Sequence, residues 1–190
     1  MRWLRTLVVG IGIGIASPTA AFNEPNAFRG VPWGATEEAL RDKLGETSAH
    51  GILWDKCGPF EKDQRWLGDR FCSGAFPLSG VRMEAVYRFR RDRFVGVSMT
   101  FPASDFETIA AVFRERFGPP TTSKQERFTT KGGLEATNRV DQWAGAVILI
   151  RLERFSGSID TGQALLETHQ SRQESLRLRQ EQIKGAAKDL

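Results

Sequence analysis

VRMEAVYRFRRDRFVGVSMTF, residues 81–101, is the stretch that decides the fold of this 190-residue chain. Apolar residues alternate with polar or charged ones along Val81–Phe89, and a second alternation runs along Val95–Phe101. A period of two residues is typical of a strand with one buried face and one wet face. Arg91-Asp92 lies between the runs and predicts a tight turn. We therefore expect a β-hairpin, with Phe94, Gly96, Ser98 and Thr100 on the wet face of its second strand.

Seven more strands and three helices are predicted outward from this hairpin. The strands have turn residues at their ends and are expected over residues 28–34, 51–56, 71–76, 123–129, 134–143, 146–155 and 164–168. Each helix follows a residue that can cap its first turn: 37–44 after Thr36, 105–117 from a capping box at Ser104–Glu107, and about 171–184 from a capping box at Ser171–Glu174. Gly45 and Gly118 are expected to end the first two helices.

The order of these elements predicts an α+β fold. The helices at 37–44 and 105–117 each follow a strand and precede a meander, so we expect two similar halves, about 28–101 and 102–169. Two short helices cannot supply the crossovers that a parallel sheet needs. We therefore predict an antiparallel sheet with these helices on one face, and a C-terminal helical tail over residues 170–190.

The first 21 residues predict a secretory signal. Arg2 and Arg5 precede the apolar run Leu7–Ala16, and the small residues Thr19 and Ala21 precede a cleavage point before Phe22. The run is about half as long as the ~20 residues of a bilayer-spanning helix. Cleavage would leave a single α+β domain over residues 22–169 plus the tail. The alternative is that the segment is retained as an N-terminal anchor. We expect a periplasmic or secreted protein with no stable membrane span after cleavage.

The charge of the expected mature chain argues against a nucleic-acid partner. The full sequence has a net charge of +4, and two of these charges, Arg2 and Arg5, leave with the signal. The remaining domain is nearly neutral, whereas binding to phosphate backbones depends on many basic side chains.

The chain contains two cysteines, Cys57 and Cys72. Export to an oxidising compartment favours a disulfide between them, and their short loop suits one. Two buried thiols or a two-cysteine metal site are the alternatives. Zinc would need further ligands, and His50 and His169 do not have the spacing of a zinc motif. No metal site and no cofactor are therefore predicted.

Catalytic patterns are weak in this sequence. A nucleophilic serine or cysteine normally needs a base, usually histidine, and both His50 and His169 are expected to be surface residues. The acidic residues around the cysteine loop, Asp55, Glu61, Asp63 and Asp69, leave an envelope enzyme as the alternative function. The leading expectation is that the protein is not an enzyme.

Arginines on the first strand of the hairpin form the candidate binding surface. Arg82, Arg88 and Arg90 share the predicted wet face, and Phe94 is expected beside them. Arginine next to an aromatic side chain is a common composition of recognition surfaces. The pattern predicts contact with a protein or an anionic envelope component, such as peptidoglycan or a lipid headgroup. A solvated sheet face is the alternative.

Several motifs resemble those of small exported bacterial proteins of unknown function. The first spans Phe28 to Gly45, where a Trp33-Gly34 turn opens a short helix that ends in Leu44-Gly45. Further likeness lies in Tyr87-Arg88-Phe89, Gly118-Pro119-Pro120 and the Ile148–Ile150 strand. The resemblance implies a two-half α+β fold akin to the β-lactamase-inhibitor-protein type, which is a binding module. It therefore implies a non-enzymatic interaction protein of the bacterial cell envelope.

Overall fold

In the computed structural model, which describes residues 22–45, 52–129, 133 and 135–189, the 81–101 stretch forms the predicted hairpin. Arg91 and Asp92 make its turn with φ of 51° and 58°, as two-residue hairpin turns of the primed types require. The predicted signal segment and His50 lie outside the described residues.

Ten strands and three α-helices are described, and they appear in chain order as follows. They are β1 (Ala27–Phe28), β2 (Val31–Pro32), α1 (Glu37–Gly45), β3 (Leu53–Pro59), β4 (Arg70–Leu78), β5 (Val81–Arg90), β6 (Arg93–Pro102), α2 (Phe106–Phe117), β7 (Thr122–Thr129), β8 (Glu135–Ala144), β9 (Ile148–Glu153), β10 (Thr161–Thr168) and α3 (His169–Ala186).

Eight of the strands form one antiparallel sheet in the order β3-β4-β5-β6-β10-β9-β8-β7, and β1 pairs with β2 in a separate small hairpin. The first helix precedes the meander β3 to β6, and the second precedes the meander β7 to β10. The two meanders meet where β6 pairs with β10, with Met99 opposite Ala164. The predicted α+β fold is confirmed, including the antiparallel sheet and the C-terminal helix.

The hydrophobic core lies between α1, α2 and one face of the sheet. Leu40 and Leu44 of α1 and Ile109 and Phe113 of α2 are buried in one cluster with the alternate residues of β5. These include Val81, Met83, Ala85, Tyr87 and Phe89, as the period-two pattern predicted. The third helix, α3, lies across the other face of the sheet, where its Glu174 and Ser175 contact Arg90.

The helix starts differ from two of the three predictions. Thr36 Oγ1 accepts from Ala39 N at 3.2 Å, which confirms the first cap. The predicted capping box at Ser104 is wrong, because residues 103–105 form a 3₁₀ turn and α2 begins without a side-chain cap. The third helix begins at His169, since β10 runs directly into it and Thr168 Oγ1 accepts from Ser171 N at 3.2 Å.

Cys57 and Cys72 form the predicted disulfide. They lie opposite each other on β3 and β4, so the bond fastens the edge strand of the sheet to its neighbour. A disulfide that closes a loop of this length stabilises the folded protein by about 3 kcal/mol, because it lowers the conformational entropy of the unfolded chain.

The segment before β1 is held against the second half of the sheet by Glu24. Its carboxylate accepts backbone N–H groups from Val147 and Ile148, both at 2.7 Å, and from Ala146 at 2.9 Å. A Cβ on Gly145 would collide with this carboxylate, so any other residue there would displace Glu24 from these hydrogen bonds. Partial burial raises the pKa of Glu24, but the three backbone hydrogen bonds outweigh it and hold the pKa below its ordinary value. We call this contact the Glu24 clasp.

Candidate functional site on the open sheet face

The predicted arginine patch divides into one exposed and two buried side chains. Arg82 is exposed, and its Nε lies 2.6 Å from Glu84 Oε1 on the same strand. Arg88 and Arg90 are only 4% and 6% exposed. The expectation that all three arginines lie on a wet surface is therefore wrong for Arg88 and Arg90, because α3 packs over that part of the sheet.

Arg88 forms a buried ion pair across three strands. Its Nη2 donates to Glu167 Oε2 at 3.1 Å, from β5 to β10. Gly96 of β6 lies between them in register, and a Cβ at Gly96 would come within 2.8 Å of Arg88 Nη2. Because Gly96 has no side chain, Arg88 can extend across β6 to the Glu167 carboxylate. Arg172 of α3 donates to the other carboxylate oxygen at 3.1 Å, so Glu167 is shared by two guanidinium groups.

Arg90 joins the sheet to two other elements. One Nη2 donates to the Trp66 carbonyl at 2.9 Å and lies 3.4 Å from Ser175 Oγ of α3. Its Nε is 3.8 Å from Glu174 Oε2. The contacts account for the burial of this side chain, and they fix α3 and the β3–β4 loop to the sheet.

Phe94 lies on the opposite face from the arginines. It is fully buried and stacks on Trp33 with ring centroids 5.0 Å apart. Arg88 pairs with Gly96 but Phe89 pairs with Phe94, so Val95 is an extra residue in β6. Such a bulge reverses the alternation of side chains beyond it. The predicted place of Phe94 beside Arg88 and Arg90 is therefore wrong.

The open part of the sheet face forms a groove along α3. We call this the α3 groove; its volume is about 500 Å³. Its floor includes Val86 of β5, Ser98 of β6 and Leu165 of β10, which lie side by side in register. Its walls include Leu176 of α3, which is 51% exposed, and Trp66 of the β3–β4 loop.

The charges that line the α3 groove are mainly positive. Four charged residues line it, namely Arg88, Arg172, Arg179 and Glu167. Since Glu167 is already paired with Arg88 and Arg172, the remaining field is cationic. Arg179 is exposed, and its guanidinium lies 4.9 Å from the centroid of the Trp66 ring. The groove thus combines apolar side chains with an aromatic residue and an accessible arginine.

A second hollow of about 400 Å³ continues the α3 groove along the sheet and shares Val86 with it. Most of its lining residues either have small side chains or already form an ion pair. Ser73, Ala75 and Thr100 are the small ones, and Arg82 and Glu84 form the ion pair. Arg82 therefore lies at this end of the face, away from Arg88 and Arg90. The two hollows together leave an extended open surface on five neighbouring strands, β3, β4, β5, β6 and β10.

The acidic residues of the cysteine loop point to separate partners. Asp55 Oδ2 accepts from Ser73 Oγ at 3.1 Å, whereas Asp69 Oδ2 accepts from Arg91 N at 2.6 Å. Among the described residues, the one group of possible metal ligands is Glu37 with Cys57 and Cys72. Those two sulfurs are joined in the disulfide, so that group lacks the thiolates that a metal would bind.

His169 is not the free surface residue that was expected. It is half-buried, and its Nε2 lies 3.0 Å from the Gly145 carbonyl.

Apart from Arg88, the residues that line the α3 groove were not predicted from the sequence, although one signal was available. Ser171 and Ser175 lie one turn apart on α3 and are both buried, because small side chains let the helix approach the sheet closely. This spacing marks the packed side of α3 and leaves Leu176 at the edge of the groove.

No protein-family model matches the chain, and comparisons with curated proteins and with solved structures find no significant match. The resemblance to small exported proteins and to the β-lactamase-inhibitor-protein type stays a prediction.

Within the described part of the chain, no helix has the length and apolar character needed to cross a membrane.

Proposed function

We propose that this chain is an exported, non-enzymatic binding protein of the bacterial cell envelope, and that it holds an acidic polypeptide segment in the α3 groove. The observation that carries the proposal is the groove itself, where the exposed side chain of Leu176 lies near Arg179 and Trp66. The Cys57–Cys72 disulfide supports the periplasmic or secreted location.

The chemistry of the groove favours a polypeptide with aliphatic and acidic side chains. Val86, Leu165 and Leu176 offer apolar contact area, and tight interfaces usually centre on such desolvated contacts. Arg172 and Arg179 add positive charge at the edge, where it attracts carboxylates and speeds association. The buried Arg88–Glu167 pair keeps the floor rigid, so a partner meets a preformed surface.

The alternative function, an envelope enzyme that uses the carboxylates of the 55–69 loop, requires these groups to converge on one substrate. Asp55 and Asp69 are instead engaged with Ser73 and with the backbone of Arg91, on different elements. This separation favours the binding function over the enzyme.

Site-specific photocrosslinking tests the proposal. The photoreactive residue p-benzoylphenylalanine is placed at Leu176 in the groove, and at Ala111 on the exposed side of α2 as the control. Each protein is exposed to light in a bacterial envelope extract, and the adducts are identified by mass spectrometry. We expect a protein adduct at position 176 that is missing at position 111, with Asp or Glu next to aliphatic residues in the crosslinked peptide.

The identified partner is then purified and its affinity is measured. Arg179→Gln should weaken binding about tenfold, and added salt should weaken it further, because the contact is electrostatic at its edge. Arg41→Gln, an exposed arginine of α1, is the control and should change nothing. Equal adducts at positions 111 and 176, or an affinity that Arg179→Gln leaves unchanged, would contradict the proposal.

A further inference from the structure

A second cavity lies on the helix side of the sheet, away from the α3 groove. Its volume is about 530 Å³, within the ~300–1,000 Å³ of small-molecule sites. It is bounded by the segment from Pro25 to Gly30, by the end of β4 and by one side of α2. The buried side chains of Met99 and Leu166 form part of its lining, so it reaches down to the central strands β6 and β10. We call this the helix-side cavity.

The walls of the helix-side cavity are mainly apolar. Four phenylalanines contribute to the lining, namely Phe28, Phe76, Phe113 and Phe117. Val112 of α2 also lines it and is half-buried. Apolar walls of this kind suit a hydrocarbon chain, which gains free energy in proportion to the apolar area that it removes from water.

The charged lining residues of the helix-side cavity are Arg29 and Arg116, and no described carboxylate lines it. Arg29 lies in the turn between β1 and β2, and its guanidinium is 4.2 Å from the centroid of the Phe76 ring. Arg116 is exposed in the last turn of α2. Burial raises the pKa of the Tyr87 hydroxyl, against the lowering effect of the nearby Arg29 charge, so Tyr87 stays neutral beside Arg29.

We propose that the helix-side cavity binds a single-chain anionic amphiphile, with the hydrocarbon chain among the phenylalanines and the anionic head group at Arg29 and Arg116. Charge complementarity selects this class of ligand, because the site offers two guanidinium groups and an apolar interior. Guanidinium groups bind carboxylates and phosphates through paired N–H donors. The site is independent of the α3 groove, which lies on the other face of the sheet.

Calorimetry with the disulfide-bonded protein tests the proposal. The probes share a twelve-carbon chain and are used below their micelle concentrations: dodecanoate, dodecyl phosphate and the cation dodecyltrimethylammonium. We expect one saturable site for the anions and at least tenfold weaker binding of the cation. The two anions distinguish a carboxylate from a phosphate head group. Equal affinity for the anions and the cation would show that the protein binds only the hydrocarbon chain, without recognising the head group, and would overturn the proposal.

Matched variants locate the binding. Val112→Trp fills the helix-side cavity and should abolish anion binding, whereas Ala111→Trp adds the same ring on the exposed side of α2 and should not. Arg116→Gln should weaken the anions about tenfold, while Arg179→Gln on the other face should have no effect. If Val112→Trp binds dodecanoate as wild type does, the proposal is wrong.

A readout that needs no variant covers the case in which Val112→Trp fails to fold. Dodecanoate carrying a terminal diazirine should label peptides of the wild-type chain that contain lining residues of the cavity, namely 25–30, 76–78, Met99, 112–117 or Leu166. Labelling confined to peptides without any of these residues would overturn the proposal. Failure here would leave the proposed function intact, because crosslinking at Leu176 probes the opposite face.

Discussion

Gly96 shows how one residue without a side chain organises the centre of the sheet. It lies between Arg88 and Glu167 in register, and it also lies close to the Leu166 carbonyl, which a Cβ at Gly96 would approach to 2.8 Å. The alternation of β5 predicted the face on which Arg88 lies. No local pattern in the sequence predicted that Glu167 lies two strands away from it, on β10. The pairing of β6 with β10 decides that contact, which joins two residues 79 positions apart in the sequence.

The buried Arg88–Glu167 pair gives a prediction about stability. Glu167→Leu alone should lower the free energy of unfolding by about 3–5 kcal/mol, because Arg88 is left buried without its carboxylate. The double variant Arg88→Met/Glu167→Leu should be much closer to wild type, since both charges are gone. Urea unfolding of the two single variants and the double variant measures the coupling.

The exposed Arg82–Glu84 pair is the control for this cycle. Replacing both residues by Met and Leu should change the free energy of unfolding by less than about 1 kcal/mol, because exposed ion pairs contribute little. Additive losses in the Arg88–Glu167 cycle, with no coupling between the two positions, would contradict the prediction.

At the scale of the element, the patterns predicted which segments form helices and strands, and they failed where neighbours set the ends. The strands of the 81–101 hairpin were clear because α1 and α2 cover one face of it. The bulge at Val95 was missed, and this error alone moved Phe94 to the wrong face. The start of α3 was misplaced because Thr168 serves both as the last residue of β10 and as the cap.

The strand β10 was predicted as 164–168 but extends over Thr161–Thr168. Gly162 lacks a side chain where the ring of Phe101 packs, so the first part of the strand has no apolar alternation to detect. A strand segment that uses glycine to accommodate a side chain from the neighbouring strand does not show the alternation by which strands are predicted. It is nevertheless a central strand of the sheet.

The Glu24 clasp joins the N-terminal segment to the β8–β9 turn and predicts a pH dependence. The pKa of Glu24 is below its ordinary value of 4.5 in the folded chain, so the ionised form stabilises the fold. Glu24→Gln should cost about 1–2 kcal/mol at pH 7, near the low end of the ~1.5–3 kcal/mol of hydrogen bonds to a charged group, because the carboxylate is only partly buried. The difference from wild type should be fully present above the unfolded pKa, and it should disappear as the pH falls through the folded pKa.

Urea unfolding at pH 7 and at several lower pH values measures this difference. Glu115→Gln, an exposed glutamate of α2, is the matched control and should track wild type throughout. A Glu24→Gln variant whose loss of stability stays constant with pH would contradict the clasp.

For the whole molecule, the sequence patterns were enough to predict an antiparallel α+β fold, whereas the candidate site depended on contacts that no pattern contains. The order of helices and meanders predicted two halves, and the pairing of β6 with β10 joins them into one sheet. The α3 groove exists because α3 crosses the face that the hairpin alternation left open. Its residues come from β5, β6, β10, α3 and the β3–β4 loop, so only the folded chain brings them together.

The continuous sheet and core predict that both halves unfold together. Leu166 is buried on β10, and it pairs with Val97 of β6 and Ile150 of β9. Leu166→Ala should cost about 2–5 kcal/mol, the range for truncating a buried leucine. Hydrogen exchange should show the same loss of protection for amides of β4 and β5 as for amides of β8 and β9, because the halves share one core.

Leu165→Ala is the neighbouring control, since Leu165 faces the α3 groove and is only half-buried. It should cost less than Leu166→Ala and should leave the pattern of exchange unchanged. If Leu166→Ala lowers protection in β8 and β9 while β4 and β5 keep theirs, the halves unfold separately. In that case the β6–β10 ladder joins two independently stable units, and the rigidity of the α3 groove, which draws on both, would have to come from α3 instead.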